Sequence, residues 1–403
     1  MDTLLVATIL ALCVLVASMI SVEIGISVAI IEIAFGVLAG NAFGIATTPW
    51  IDFLASFASI VLTFLAGAEV DPSLLRQKFK ESLLIGGLSF LLPFVGAGLF
   101  AYFVAGWDLR QAEIAGVALS TTSLAVVYAV LVETGLTNTE IGKIIMAATF
   151  VTDFGTALAL SLLFITPTPF LALFIAVSIA AIVGMLLLQR WFFARYGDRV
   201  IEPEIKGAFF VLFLLMWTAD LAKSHAVLPA FLLGLAVARV FQQYPEQHRR
   251  FRVVAFSLLT PFFFFKGGLN VSISALAGSV PLLMGFFVVK IGLKFIGVFP
   301  VALRYVRPHA TYTTLLMSTG LTFGTISSLY GLNAGIIDRT QFSILVTIVI
   351  LSATVPTAIA QRFFSPPVYE LTPDDVVAVE DEEFGHRRAR AAIPLPEHAG
   401  DGE

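Results

Sequence analysis

The chain has 403 residues, of which 58% are hydrophobic and only 13% charged. Soluble domains run at about 45–50% apolar and about 25% charged residues, so a water-soluble enzyme, a disordered chain and a nucleic-acid-binding protein are all excluded. The net charge of −4 is unevenly spread: residues 364–403 hold ten acids and three arginines, while the rest holds 21 basic and 18 acidic residues.

A transmembrane helix needs about 20 apolar residues. In chain order such stretches fall at 3–20, 24–43, 51–69, 83–105, 112–132, 142–165, 168–190, 206–221, 226–241, 253–273, 280–303, 310–332 and 341–362. The first has no basic residue before it and reads as a retained span, not a cleaved signal peptide. Thirteen spans put the termini on opposite sides. With the N-terminus outside, the inner loops hold fourteen basic residues and the outer loops three, Arg110, Lys223 and Arg339. The excess of basic residues on one side predicts a multi-pass protein of the cytoplasmic membrane, N-terminus out and C-terminus in. Beyond Phe364, Ser-Pro-Pro, a run of acids and His386-Arg-Arg-Ala-Arg390 read as a disordered acidic cytoplasmic tail over 364–403.

Six spans, a linker span and six more make a natural partition, and an odd linker inverts the second half relative to the first. The fifth span reads Ala118-Leu-Ser-Thr-Thr-Ser-Leu-Ala125, and the twelfth reads Leu316-Met-Ser-Thr-Gly-Leu-Thr-Phe-Gly-Thr325. Both place a polar cluster in mid-membrane: Ser120, Thr121, Thr122 and Ser123 in one, Ser318, Thr319, Gly320 and Gly324 in the other. Paired clusters at corresponding positions of two halves suggest helices that break where they line a site. The competing reading is back-bonding of Ser and Thr to helix carbonyls. Gly36-x-x-x-Gly40 and Gly96-x-Gly98 read as close helix packing. No phosphate loop, zinc helix or nucleophile elbow is present, so neither catalytic residues, a cofactor nor a structural metal is expected, and ATP has no motor here. The single cysteine, Cys13, rules out internal disulfides and Cys-rich zinc sites.

A charge at the bilayer centre costs about 2.5–3.5 kcal/mol on insertion scales, so each one needs a reason. The candidates are Glu32, Asp153, Lys266, Lys290 and Lys294, with Glu69 and Asp220 nearer span ends. Asp153 lies near the middle of the sixth span. A lone carboxylate there is protonated, paired with a cation or bound to a metal ion, and exchange among those states is the elementary step of ion-coupled transport. Lys290 and Lys294 are four apart and share a helix face, so either can pair with Asp153 when no cation is bound. Lys266 reads as a gate residue or an interfacial anchor, and Glu32 as a scaffold acid.

At these residues the chain resembles the bacterial cation:proton antiporter-2 family of monovalent cation/H+ exchangers, over roughly residues 25–360. The similar pieces are Glu32 with Gly36 and Gly40, Leu65-Ala-Gly-Ala-Glu-Val-Asp71, Ser120-Thr-Thr-Ser-Leu-Ala-Val-Val127, Pro229-Ala-Phe-Leu-Leu-Gly-Leu235, Asp153, and Lys294-x-x-Gly297. The resemblance implies a sodium/proton antiporter-like fold: an all-α polytopic protein of about thirteen helices in two inverted six-helix repeats, with crossed discontinuous helices. It implies scaffold and dimerisation helices over 1–80 and 205–278, core helices over 81–166 and 279–363, and a linker helix over 167–204. It further implies an elevator motion of the core, a homodimer in the lipid bilayer, Asp153 as the ion-binding acid and Lys294 as the functional lysine.

One position departs from the family. Thr152 stands where an Asp, Asn or Gln usually precedes the aspartate. It adds no second charge, which favours one-for-one electroneutral exchange over the two-acid electrogenic type. The expected site joins Asp153 to oxygens of Thr152, Thr122 and Ser123, with Na+ or K+ competing against H+; hard cations take oxygen ligands. The rival readings are a Na+-coupled symporter of an organic anion on a similar fold and a cation channel.

Overall fold

The computed structural model describes residues 3–24, 27–137, 139–165, 167–196, 199 and 201–366; every regular element among them is a helix. The acidic tail lies, past Pro366, outside the described residues. In chain order the α-helices are α1 Thr3–Ile24, α2 Val28–Ala42, α3 Pro49–Ala68, α4 Pro72–Gln77, α5 Phe79–Phe103, α6 Leu109–Ser120, α7 Leu124–Glu133, α8 Glu140–Leu163 and α9 Leu171–Tyr196. They continue with α10 Pro203–Leu221, α11 Val227–Gln243, α12 Pro245–Val254, α13 Thr260–Leu269, α14 Ile273–Ala277, α15 Val280–Tyr305, α16 Ala310–Met317, α17 Thr322–Asn333 and α18 Arg339–Ile359. Among the described residues, nine helical segments are long and apolar enough to cross a membrane, and α2 and α11 are shorter apolar helices.

Local sequence sets the starts of these helices. Asp108 and Asp338 each accept from the backbone N–H three residues on, and Gln111 and Gln341 reach back to the cap, closing a capping box at α6 and at α18. Thr139 caps α8, and prolines open α3, α10 and α12, where a missing N–H costs nothing.

The stretch 242–252, which the sequence reading places in a loop between two spans, is instead mostly helical. α12 starts at Pro245, and Glu246 pairs with Arg249 at 3.0 Å and with Arg250 at 3.4 Å, the i+3 and i+4 spacings of a helix face. A π-turn, Ala255–Leu259, joins α12 to α13.

Two kinds of packing organise the bundle. In the first, α2 lies on α13 and α3 on α11 with backbones almost touching. A Cβ on Gly67 would collide with the Phe231 carbonyl oxygen, and one on Gly234 with that of Phe64; Gly36 and Gly268 meet Phe265 and Ile33 in the same way. Only glycine permits such an approach, and in lipid this close van der Waals contact is what drives helices together. In the second, α5 packs against α6, α8 and α15, and α17 crosses α6. Here too glycines such as Gly86 and Gly116 bring backbones close, but the contact also carries the polar side chains that build the site.

Candidate functional site

The two polar clusters sit where helices are interrupted. α6 stops at Ser120 and α7 starts at Leu124; α16 stops at Met317 and α17 starts at Thr322. The interruptions interlock. Thr122 Oγ1 donates to the Met317 carbonyl at 2.9 Å, and the Ser123 N–H donates to Thr319 Oγ1 at 3.4 Å. Gly320 allows the crossing: a Cβ there would lie 2.5 Å from Lys290 Nζ and 2.8 Å from Thr121 Oγ1. Back-bonding is present as well. Ser120, Ser318 and Thr319 donate to Val117, Thr314 and Leu316 carbonyls at 2.9, 2.7 and 2.8 Å. Both readings of the clusters therefore hold: the hydroxyls cap the carbonyls that the breaks set free.

A broken helix has four ends, and each end has a sign. A helix N-terminus carries roughly +0.5 and a C-terminus roughly −0.5 of an elementary charge. Leu124 and Ala125 at the start of α7, with Thr322 and Phe323 at the start of α17, border a cavity of about 80 Å³. Asp153 lines the same cavity from α8; it is 2% exposed, and its Oδ1 has no hydrogen-bond partner. The carboxylate thus faces two positive helix ends. Phe256 and Thr260, turned inward by the π-turn, close another wall, and Glu69, at the end of α3 and 3.5 Å from Arg252, completes the rim.

The lysines occupy the opposite pole. Lys294 Nζ donates to the carbonyl of Ser120, the last residue of α6, at 2.9 Å, to Ser89 Oγ at 2.8 Å and to Thr122 Oγ1 at 3.0 Å. An ammonium has three N–H donors, so all are used. Ser89 and Thr122 both donate onward to the Met317 carbonyl, so Lys294 ties α5 to both interruptions. Lys290, one turn away and equally buried, has no hydrogen-bond partner for its Nζ, which lies against Gly320.

Some of the expected contacts are not made in this structure. Neither lysine forms an ion pair with Asp153: three convergent oxygens hold Lys294 at the C-terminal end of α6. Thr152 donates to the Thr149 carbonyl at 2.6 Å and does not line the cavity, and neither do Thr122 and Ser123. Lys266 is paired with Asp52 at 2.9 Å and is almost wholly buried, which makes it a link between α13 and α3. Glu32 is buried with Oε2 unpartnered. Sequence reasoning passed over Ser89 and Asp52, although each is a polar residue inside an apolar run, the only signal it offered.

Far from Asp153, cavities of about 490 and 560 Å³ share Asp220, Ser224, His225, Tyr330 and Asn333. They share no lining residue with the cavity of Asp153. Phe231, fully buried, is ringed by Phe150, Phe154 and Phe323 at centroid distances of 5.5, 6.1 and 6.1 Å.

Known proteins resemble this chain. A probable Na+/H+ antiporter of Methanocaldococcus jannaschii is 27% identical over 333 residues, covering 77% of this chain and 83% of the relative. A Na+/H+ antiporter of Enterococcus hirae is 26% identical over 381 residues, covering 88% and 96%. The solved structure of the sodium proton antiporter MjNhaP1 from Methanocaldococcus jannaschii superimposes with a TM-score of 0.68 at 16% identity, over 91% of this chain and 100% of that one. That likeness shows the fold. The family of the transmembrane sodium/hydrogen exchanger matches residues 6–364, nearly the whole described chain, and the protein belongs to that family.

Proposed function

We propose that the chain exchanges a monovalent cation, Na+ or K+, for H+ across the cytoplasmic membrane, with Asp153 as the group for which the two compete. One observation carries the reading: a buried carboxylate with a free Oδ1 faces a small cavity between two helix N-termini. The helix ends hold the site's charge near neutral, so the carboxylate takes either one proton or one cation, but not both. The cation's other oxygens come from Thr152, Thr122 and Ser123, which do not line the cavity in this structure and reach it by a rearrangement of the crossing. Thr122 already accepts a hydrogen bond from Lys294, so a cation on its hydroxyl lies close to the lysine's charge, which couples binding to the lysine.

The separated cavities support an elevator motion, in which the crossing carries Asp153 past the aromatic layer around Phe231. The basic residues support an N-out, C-in orientation. The protein works as a homodimer in the lipid bilayer in this reading. With one titrating acid per site, exchange is one for one and electroneutral.

The test is proton flux in proteoliposomes on adding Na+, K+ or Li+ in turn, with wild type beside Asp153→Asn. The amide keeps the shape but cannot exchange a proton, so flux should vanish for every cation while insertion is unchanged. Wild-type flux in the variant would refute Asp153 as the exchange group.

A further inference from the structure

A second cavity, of about 310 Å³, lies between α9, α10, α11 and α12, with no part in the crossing. Its walls are apolar along most of their length. α9 contributes Gly184, where an added Cβ would meet nothing within 4 Å, so the space is open at the backbone itself. Leu188 and Phe210 line it and are 58% and 67% exposed, so the cavity opens sideways at the surface that faces hydrocarbon.

One end is different. Gln189, Glu204 and Gln247 line the cavity there and are 8%, 6% and 7% exposed. Gln189 Oε1 is buried without a hydrogen-bond partner. A carbonyl oxygen accepts only, so the group missing from this end is a donor. With Glu204 beside it, a cationic donor fits better than a neutral one, and an anionic headgroup fits worse. A long apolar slot open to the bilayer, closed at one end by an orphaned acceptor and an acid, calls for an amphiphile.

We propose that this cavity binds a phospholipid with a primary ammonium headgroup, of the phosphatidylethanolamine class, with one acyl chain along α9 and the ammonium on Gln189 and Glu204. The choline headgroup is the informative contrast, because it carries the same positive charge but has no N–H to donate.

The test is native mass spectrometry of the purified full chain, titrated separately with phosphatidylethanolamine, phosphatidylcholine and phosphatidylglycerol. The ethanolamine lipid should bind about tenfold more tightly than the choline lipid, the worth of one buried acceptor left unmet. Gln189→Leu should erase that preference, and Gly184→Leu, which fills the slot, should remove the tight adduct of all three lipids. Cation-driven proton flux retained in both variants would show that they are folded. Equal binding of ethanolamine and choline lipids to the wild type would overturn the proposal with no variant needed. So would an unchanged ethanolamine adduct in Gly184→Leu, or a monomer–dimer shift in that variant without lipid loss, which would make a second copy of the chain the occupant.

Discussion

The glycine-packed pairs α2/α13 and α3/α11 and the polar crossing of α6–α7 with α16–α17 answer the same problem in different ways. Lipid is as apolar as leucine, so burying leucine does not hold helices together in it. The glycine pairs rely on shape: remove every Cβ from the contact and the backbones meet. The crossing relies on hydrogen bonds between side chains and freed backbone groups, with Thr122 accepting from Lys294 and donating to the Met317 carbonyl. The first contact is set by backbone shape alone, and the second by which polar groups meet.

The sharpest way to break this contrast is at the two lysines. Lys294→Ala leaves Ser89, Thr122 and the Ser120 carbonyl without their donor, at about 1–3 kcal/mol for each buried group left unmet. Transport should fall by at least tenfold, with a lower unfolding temperature in detergent. Lys290→Met removes an ammonium that has no partner, and apolar replacement of such a charge is neutral or stabilising. Its unfolding temperature should be unchanged or raised. A silent Lys294→Ala beside an inactive Lys290→Met would reverse the assignment of the two turns.

Next comes the seam. In Gly234→Ala the new methyl meets the Phe64 carbonyl, and overpacking of this kind costs about 1–3 kcal/mol or more. The unfolding temperature should drop, while flux per folded molecule stays within about twofold, since no charged group moves. Loss of flux at full stability would mean that the seam is part of the moving machinery.

A smaller effect belongs to His225, in the loop between α10 and α11. Its ring meets that of Tyr330 at a centroid distance of 3.9 Å, and burial pushes the imidazole down to about 4. The folded state keeps it neutral while the unfolded chain protonates it near 6.5. The unfolded state therefore binds more protons between those values, and stability falls as pH drops from about 6.5 to about 4. His225→Phe should flatten that part of a melting-temperature profile; a profile identical to wild type would remove His225 as its source.

The smallest expected effect is none at all. One acid per site predicts transport insensitive to a valinomycin-clamped potential with Na+ as substrate. A clear voltage dependence of rate and final gradient would bring a lysine into the stoichiometry, and Lys290, free of hydrogen bonds, would be the first to test.

The hydrophobic stretches were legible in sequence because twenty apolar residues in a row have few other uses, and every predicted stretch contains a helix. The interruptions were legible because Ser, Thr and Gly cluster twice where apolar residues would cost less. The polarity of the site was not. Four-residue spacing puts Lys290 and Lys294 on one face, but it does not say that three oxygens from α5 and α6–α7 converge on one of them and none on the other. Nor does it say that the carboxylate sits at the far helix ends. The helical stretch from Pro245 was hidden because arginines that pair along a helix face look, in one dimension, like a loop.

The π-turn between α12 and α13 fits one residue more into its loop of chain than an α-turn does. Wound as an uninterrupted α-helix, the same residues would leave the two parts turned by about 100° relative to the present arrangement. With Gly268 locked against Ile33, α13 cannot rotate, so the whole twist falls on α12. Phe256 would leave the wall opposite Asp153, and Arg252 would swing away from Glu69. The extra residue works as a fixed phase shift: it lets one continuous rod keep a face on the seam at one end and a different face on the cavity of Asp153 at the other.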